Sequence, residues 1–434
     1  MESGPEESIP PGEDDQGGAD PSGGVHPSEP GPGRAVVSRA SRRSGLSLLR
    51  RLRLLALWAA GGCAWSPAAR PTTPGDRPAG GAGGVEERVE PAERTDADGD
   101  GPFFYLGRAY GTDAVAGPLD VLLNKGFAVA QFNNRNRYIF DYDYGVRHVW
   151  NSITGFGDNV HRYGGWTAYL GDEIVPTSLD WSAWKWAPNY FGHVLEGGMT
   201  YRRLSEWNRV HEVPFPALSA AVVTMGAAVI NEMYAHPGWV QGTAATATDL
   251  LFFDPLGVAL FSIDGVAGFF AGPLQGTIWS SQAALTLDGE LVNNGNNFIV
   301  KLPVSPFPRT SIFIRGGLAL TPGLTYHRRD GLDVSVGLGG EGRIQNVDPV
   351  TGEETPEIAV GGGIFVDRDG TLLASVMASE TAHRRFVVNV YPGVVDVAGG
   401  RLGGWLIVRK DWAVRFGVSV SGALGVGAGA GFGR

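Results

Sequence analysis

Leu332-Asp-Val-Ser-Val-Gly-Leu338 sets apolar residues against small or polar ones in strict alternation. Successive side chains of a strand point to opposite faces, so a period of two predicts a strand with one apolar face. The pattern recurs on both sides, wholly or in part, at Arg309–Arg315, Leu372–Met377, Phe386–Tyr391, Trp405–Arg409 and Trp412–Val420. Arg329-Asp330-Gly331, Asp367–Gly370 and Lys410-Asp411 separate these runs. Arg-Asp-Gly between alternating runs is a hairpin signal, and roughly eight to ten strands are expected. Residues 273–434 therefore read as an antiparallel β-region and a candidate barrel. Alternation does not say which face is wet. An outer-membrane barrel turns its apolar face to lipid; a soluble sheet or barrel turns it inward. Gly and Ser on the polar face, and Arg and Asp gathered at turns, favour the membrane. The closing Gly-Phe-Gly-Arg434, without a terminal aromatic, counts against it.

Composition agrees with short strands, tight turns or a membrane. The 434 residues include 66 Gly, 12 Trp, 12 Tyr and 20 Phe, with 18% charged. No Gly-X-Y period marks a collagen. A single Cys forms neither an internal disulfide nor a Cys-based zinc site. A net charge of -10 argues against a nucleic-acid partner.

Upstream of the strands the period changes. Pro216–Tyr234 is small and apolar, broken only by Gly226, and bounded by Pro214 and Pro216 before and His236-Pro237-Gly238 after. It predicts a buried core helix, with Ala220, Thr224, Ala227 and Asn231 on a face that another helix approaches closely. Further helices are expected over 192–207 and 245–253, then a new one with Asp254 as N-cap and Pro255 at its first position. Residues 188–272 thus read as a small helical bundle. Residues 102–187 read as strands and Trp-rich loops. Phe103–Leu106, Gly126–Phe132 and Arg137–Tyr144 would be strands, with Asp141 and Asp143 on one face. Trp150, Trp166, Trp181, Trp184 and Trp186 suit a membrane belt, a ligand surface or an aromatic core alike. The fold class is α+β: an antiparallel sheet or barrel, with the bundle inserted between N-terminal and C-terminal strands.

The first hundred residues are not fold. Residues 1–33 form an acidic Gly/Pro/Ser leader that buries too little to order itself, and the true start is expected near Val36 or Val37. Residues 34–65 carry seven arginines, the apolar run Leu54–Ala60 and small residues, the layout of a secretory signal. Ser41-Arg42-Arg43 loosely resembles a twin-arginine signal. Ala60-Gly61-Gly62-Cys63 is similar to a lipoprotein cleavage box, with Cys63 as the lipidated residue or an incidental one. Residues 66–101 read as a solvated linker. Asp96–Asp100 lacks the later ligands and closing Glu of a calcium loop.

Residues 186–262 resemble the DUF3943 family of uncharacterised bacterial envelope proteins. The residues concerned are Trp186-Ala-Pro-Asn189, Gly192-His193, Gly197 with Tyr201, Glu232, Asp249-Leu250 and Asp254-Pro255-Leu-Gly257. Against the family pattern, Val194 replaces a Pro after the His, and Asn231 replaces a Trp before the Glu. Two further acids of the pattern fall near Ala235 or His236 and near Ser262. The resemblance implies a place in the envelope and supplies no activity.

Read directly, His193, Glu232 and Asp249 lie one per predicted helix among apolar or small neighbours. Buried acids without partners are costly, so the three are expected to meet. They then form a structural network, or a catalytic group with His193 as general base oriented by Glu232 or Asp249. No cofactor is implied unless the three hold a divalent Zn, Mn or Fe, and no HExxH spacing supports that. Asn189, Tyr201 and Asp254 would be outer partners. The glycine clusters 337–340 and 361–363 precede no helix and do not suit a phosphate loop. No Gly-x-Ser-x-Gly is present. Arg202-Arg203 and Arg384-Arg385 would be solvated or meet lipid phosphates. The sequence thus predicts an exported protein of the outer membrane or periplasm of a Gram-negative bacterium. Its partners would be outer-membrane lipid or envelope components. Its role is structural or binding, or else that of a lipid- or glycan-modifying enzyme.

Overall fold

Among the described residues, all strands follow all helices. The computed structural model describes residues 101–131, 142–176, 185, 187–236, 239–347, 354–379, 384–397, 400–421 and 424–430. The leader, the signal-like segment with Cys63, Asp96–Asp100, Asp141, Trp181, Trp184 and Trp186 lie outside these residues. The helical part runs α1 (Gly111–Ala114), α2 (Pro118–Asn124), α3 (Asp143–Thr154), α4 (Phe156–Arg162) and α5 (Trp166–Tyr169). It continues as α6 (Gly197–Val210), α7 (Pro216–Ala235), α8 (Ala244–Thr248), α9 (Asp254–Phe261) and α10 (Asp264–Ala271). Three π-wound stretches, Leu170–Ile174, Ala187–Glu196 and Asp249–Phe253, adjoin α5, α6 and α9.

Among the described residues the helical region is therefore wider than 188–272, and no strand precedes it; most of the strand expected over 137–144 lies outside these residues. Phe103–Leu106 is not a strand, because the Glu206 carboxylate accepts the backbone N–H groups of Phe103, Phe104 and Tyr105 at 2.8–3.0 Å. The described residues after Gly126 form a turn and a 3₁₀ segment, and Asp143 opens a helix instead of sharing a strand face. Asp254 does not start a separate helix. Residues 244–261 are continuously helical, and the Asp254 N–H bonds Asp249 O in the π pattern. The widened turn already interrupts the usual ladder there, which lets Pro255 follow without a break.

The sheet has thirteen strands: β1 (Thr277–Ser280), β2 (Ala284–Thr286), β3 (Leu291–Val292), β4 (Asn296–Val304), β5 (Phe307–Gly317), β6 (Ala319–His327), β7 (Leu332–Val347), β8 (Glu354–Arg368), β9 (Thr371–Ser379), β10 (Phe386–Val397), β11 (Gly400–Val408), β12 (Val414–Val420) and β13 (Gly425–Ala430). β4 to β13 pair in sequence order, all antiparallel. β1 pairs with β4, while β13 pairs in parallel with β2, which carries β3. The glycine clusters lie on β7 and β8 in mutual register, Gly337 opposite Gly363 and Gly339 opposite Gly361.

The two faces of the sheet differ in kind. One is enclosed: Trp279, Phe313, Phe365 and Tyr391 meet across it, although they come from β1, β5, β8 and β10. Ser311, Thr325, Ser335, Asn389 and Ser419 are buried on the same side. The other face carries Leu324, Tyr326, Val336, Leu338, Ile364, Val376, Phe386, Leu406, Phe416 and Val418, all exposed. Among the described residues, helices cover this second face at its beginning, where Phe298, Val300 and Ile278 join Met199, Tyr201, Leu204 and Phe261 in one cluster. α7 is buried on one face, through Ala220, Thr224 and Ala227, and exposes Leu218 and Val222 on the other. The expectation of a fully buried helix is corrected to that extent.

Candidate functional site: a histidine among buried acids

His193, Glu232 and Asp249 do converge. One ligand-type atom from each lies within 4.8 Å of the other two. They come from the π-wound Ala187–Glu196, from α7 and from the π-wound Asp249–Phe253. π-Turns inside helices are rare and recur at functional sites. Asp254, expected only as an outer partner, touches the ring directly. Its Oδ2 is 3.2 Å from His193 Nδ1, while Asp249 Oδ2 is 3.5 Å from Nε2. Thr246 Oγ1 donates to Glu232 Oε2 at 2.8 Å. Lys125 Nζ stands 3.6 Å from Glu196 and 3.9 Å from Asp254.

Burial opposes a charge on the His193 ring, but the Asp249 and Asp254 carboxylates outweigh it and raise the ring to about 10. Burial likewise pushes the Glu232 and Asp249 carboxyls up, against the pull of His193. An imidazole held this firmly charged is a poor general base at neutral pH.

Asn189 does not reach His193. Its Nδ2 donates to the backbone O and Oε2 of Glu173, on the third π-turn. Tyr201 packs in the apolar cluster between helices and sheet. Arg202 and Arg203 are not solvated. Arg202 pairs with Glu206 and Asp264, and Arg203 reaches Asp113, Asp120, Ser280 and Thr112 O. Arg384 pairs with Glu341, and Arg385 lies over the Trp412 ring.

Sequence reading missed a second layer, His148 and His236, whose rings stack 4.2 Å apart. Thr246 Oγ1 lies 3.1 Å from His148 Nε2 and 3.5 Å from His236 Nδ1, joining them to Glu232. It also missed a chain on the enclosed sheet face. Ser311 Oγ is 2.7 Å from His327 Nε2, His327 Nδ1 is 2.8 Å from Asp333, and Asp333 meets Lys301. That is the order of a nucleophilic triad. Ser311, however, is 0% exposed and offers no surface to a substrate, so the chain is structural. His327 and Asp333 sit six residues apart across the Arg329-Asp330-Gly331 turn, a spacing that could have drawn notice.

Close helix contact builds the His193 site. A Cβ at Gly257 would lie 2.7 Å from Val194 O and 3.0 Å from His193 O. Gly257→Ala should therefore force α9 away and cost about 1–3 kcal/mol in equilibrium unfolding. Gly226, with nothing within 4 Å of its Cβ position, is the control. Gly226→Ala should be neutral or stabilising by up to about 1 kcal/mol.

Burial lowers His148 to about 4, against the backbone carbonyl bonds at Gln241 and Trp239 that favour its charge. The unfolded chain takes up this proton near pH 6.5 and the folded chain only near 4. Stability from this group is thus complete above pH 6.5 and is lost as the pH falls from 6.5 to 4. His148→Gln should flatten that part of the stability profile, by up to roughly 3 kcal/mol, in unfolding measured from pH 7 to 4.

Comparison with models of protein families, with curated proteins and with solved structures finds no match.

Proposed function

We propose that the protein is an outer-membrane-associated structural or binding protein of the cell envelope, its sheet a barrel that faces lipid. The observation that carries this is the inverted polarity of the strands. On β12, Phe416, Val418 and Val420 are exposed, while Arg415 and Ser419, on the opposite parity, are buried. On β7, Val336 and Leu338 are exposed and Ser335 is buried. A sheet in water leaves its polar side wet; one in a bilayer turns apolar residues outward and gathers polar ones inside. The ends of the strand order support closure. β1 and β2 are joined by residues 281–283 and β3 and β4 by residues 293–295, and Ser281 N donates to Gly295 O at 2.8 Å. α7 and the continuous helix Ala244–Phe261 are long and apolar enough to cross a membrane. Each turns an acid of the His193 cluster inward, and we read them as core helices of the site.

Fractionation of expressing cells tests the reading. The chain should sediment with outer membranes, resist carbonate extraction, need detergent for release, and migrate differently in SDS before and after boiling. Recovery as a soluble protein without detergent would end the proposal.

One observation favours an envelope lipid- or glycan-modifying enzyme as the second reading. The His193 and Asp249 side chains keep 13% and 12% exposure, so the charged cluster is open on one side. If His193→Ala and Glu232→Gln leave a folded protein but abolish a phenotype, the purely structural role fails. If each lowers only the melting temperature, the enzyme reading fails.

A further inference from the structure

We propose that His193 Nε2, Glu232 and Asp249 bind one divalent transition-metal ion, with Asp254 as the positioning residue for the histidine. The proposal is independent of what the sheet faces. Three features of the geometry carry it.

The first is the fit of the donors. Ligand atoms about 2.1 Å from a tetrahedral ion stand about 3.4 Å apart. His193 Nε2 and Asp249 Oδ2 are already 3.5 Å apart, and no member of the trio is beyond 4.8 Å. A side-chain movement of about an ångström closes the set. The second is orientation. Asp254 Oδ2 lies 3.2 Å from Nδ1 and accepts its proton, which fixes the ring with Nε2 toward Asp249, where an ion would take the place of the Nε2 proton. A carboxylate bonded to the far nitrogen of a metal-ligating His is the recurring way in which such rings are fixed. In the same fashion, the Thr246 hydroxyl holds one oxygen of Glu232 in place.

The third is an unmet need inside the cluster. Asp249 Oδ1 is buried with no hydrogen-bond partner among the described residues, and the residue is 8% exposed; Asp254 Oδ1 faces only the Lys125 ammonium, at 3.9 Å. Glu232, Asp249, Asp254 and Glu196 surround one lysine, Lys125, and one imidazole. A structural network would be expected to satisfy such oxygens. A dication on the Nε2 side would satisfy Asp249 Oδ1 and replace the proton on Nε2. One imidazole and two carboxylates suit Zn²⁺, Mn²⁺ or Fe²⁺. Three protein ligands leave a coordination position open, and the partial exposure of His193 and Asp249 supplies the route to it.

The test uses the full chain, stripped with EDTA and titrated separately with Zn²⁺, Mn²⁺ and anaerobic Fe²⁺ by calorimetry. Elemental analysis after dialysis then gives the metal content. The expected result is one equivalent of at least one of these ions, with a raised melting temperature. X-ray absorption should show one imidazole nitrogen and carboxylate oxygens at about 2.0–2.2 Å. Glu232→Gln and Asp249→Asn, close to isosteric, should abolish binding, and Asp254→Asn should weaken it about 10–100-fold. Absence of stoichiometric binding of all three ions to the folded wild-type chain overturns the proposal, whatever the variants do. Undiminished binding in a folded Glu232→Gln/Asp249→Asn double variant overturns it equally.

Discussion

Lys301→Met should cost about 3–5 kcal/mol of folding stability. Lys301 lies on the enclosed face of β4, 2% exposed, with Nζ 2.7 Å from both oxygens of Asp367 and 2.9 Å from Asp333. Asp367 is fully buried, and apart from the lysine its oxygens receive the Gly370 N–H at 3.2 Å. Removing the ammonium strands a carboxylate in a site that water does not reach, and that desolvation dominates the loss. Asp333 is protected in part, since it keeps His327. Replacing both members, Lys301→Met with Asp367→Leu, should therefore recover much of the loss. Equilibrium unfolding in detergent or vesicles measures both variants. A single-variant loss below about 1 kcal/mol would show that the pair is screened after all.

Val336→Arg and Val418→Arg are the second pair of large expected effects. Val336 is 53% exposed and Val418 54% exposed, on strands whose other face is enclosed. At such positions in water, a change from Val to Arg moves stability by no more than about 0.5 kcal/mol. Facing the middle of a bilayer, each should cost about 2–4 kcal/mol, less if the residue lies near an interface. The same measurement thus separates a lipid-facing sheet from a wet one without reference to cell fractionation. Near-neutral results at both positions would contradict the barrel reading.

The strand half was legible because its period is strict. Leu332–Leu338 and Trp412–Val420 became β7 and β12 with the intervening turns where Arg-Asp-Gly and Lys-Asp placed them. Alternation did not reveal the short β2 and β3, which are too brief to show a period. The cluster of His193, Glu232 and Asp249 was legible because each is an isolated polar group in an apolar helix. Asp254 was misread because Asp-Pro is a strong helix-start signal, and only the π-turn before it keeps the helix continuous. Phe103–Leu106 was misread because its donors are met by Glu206, more than a hundred residues later, which no local pattern reports. Arg202 and Arg203 looked solvated because their partners at Asp113, Asp120 and Asp264 are distant in sequence.

The parallel pairing of β13 with β2 has a temporal consequence. Val426 meets Leu285 and Gly427 meets Thr286, so the last described strand completes the edge begun by the second. Contacts of that separation pay their loop-closure entropy before any reward, and such topologies nucleate slowly. A nascent chain holding β2 to β12 shows its apolar strand faces with neither edge capped. Until that pairing forms, the described strands leave an edge open to pairing with other chains.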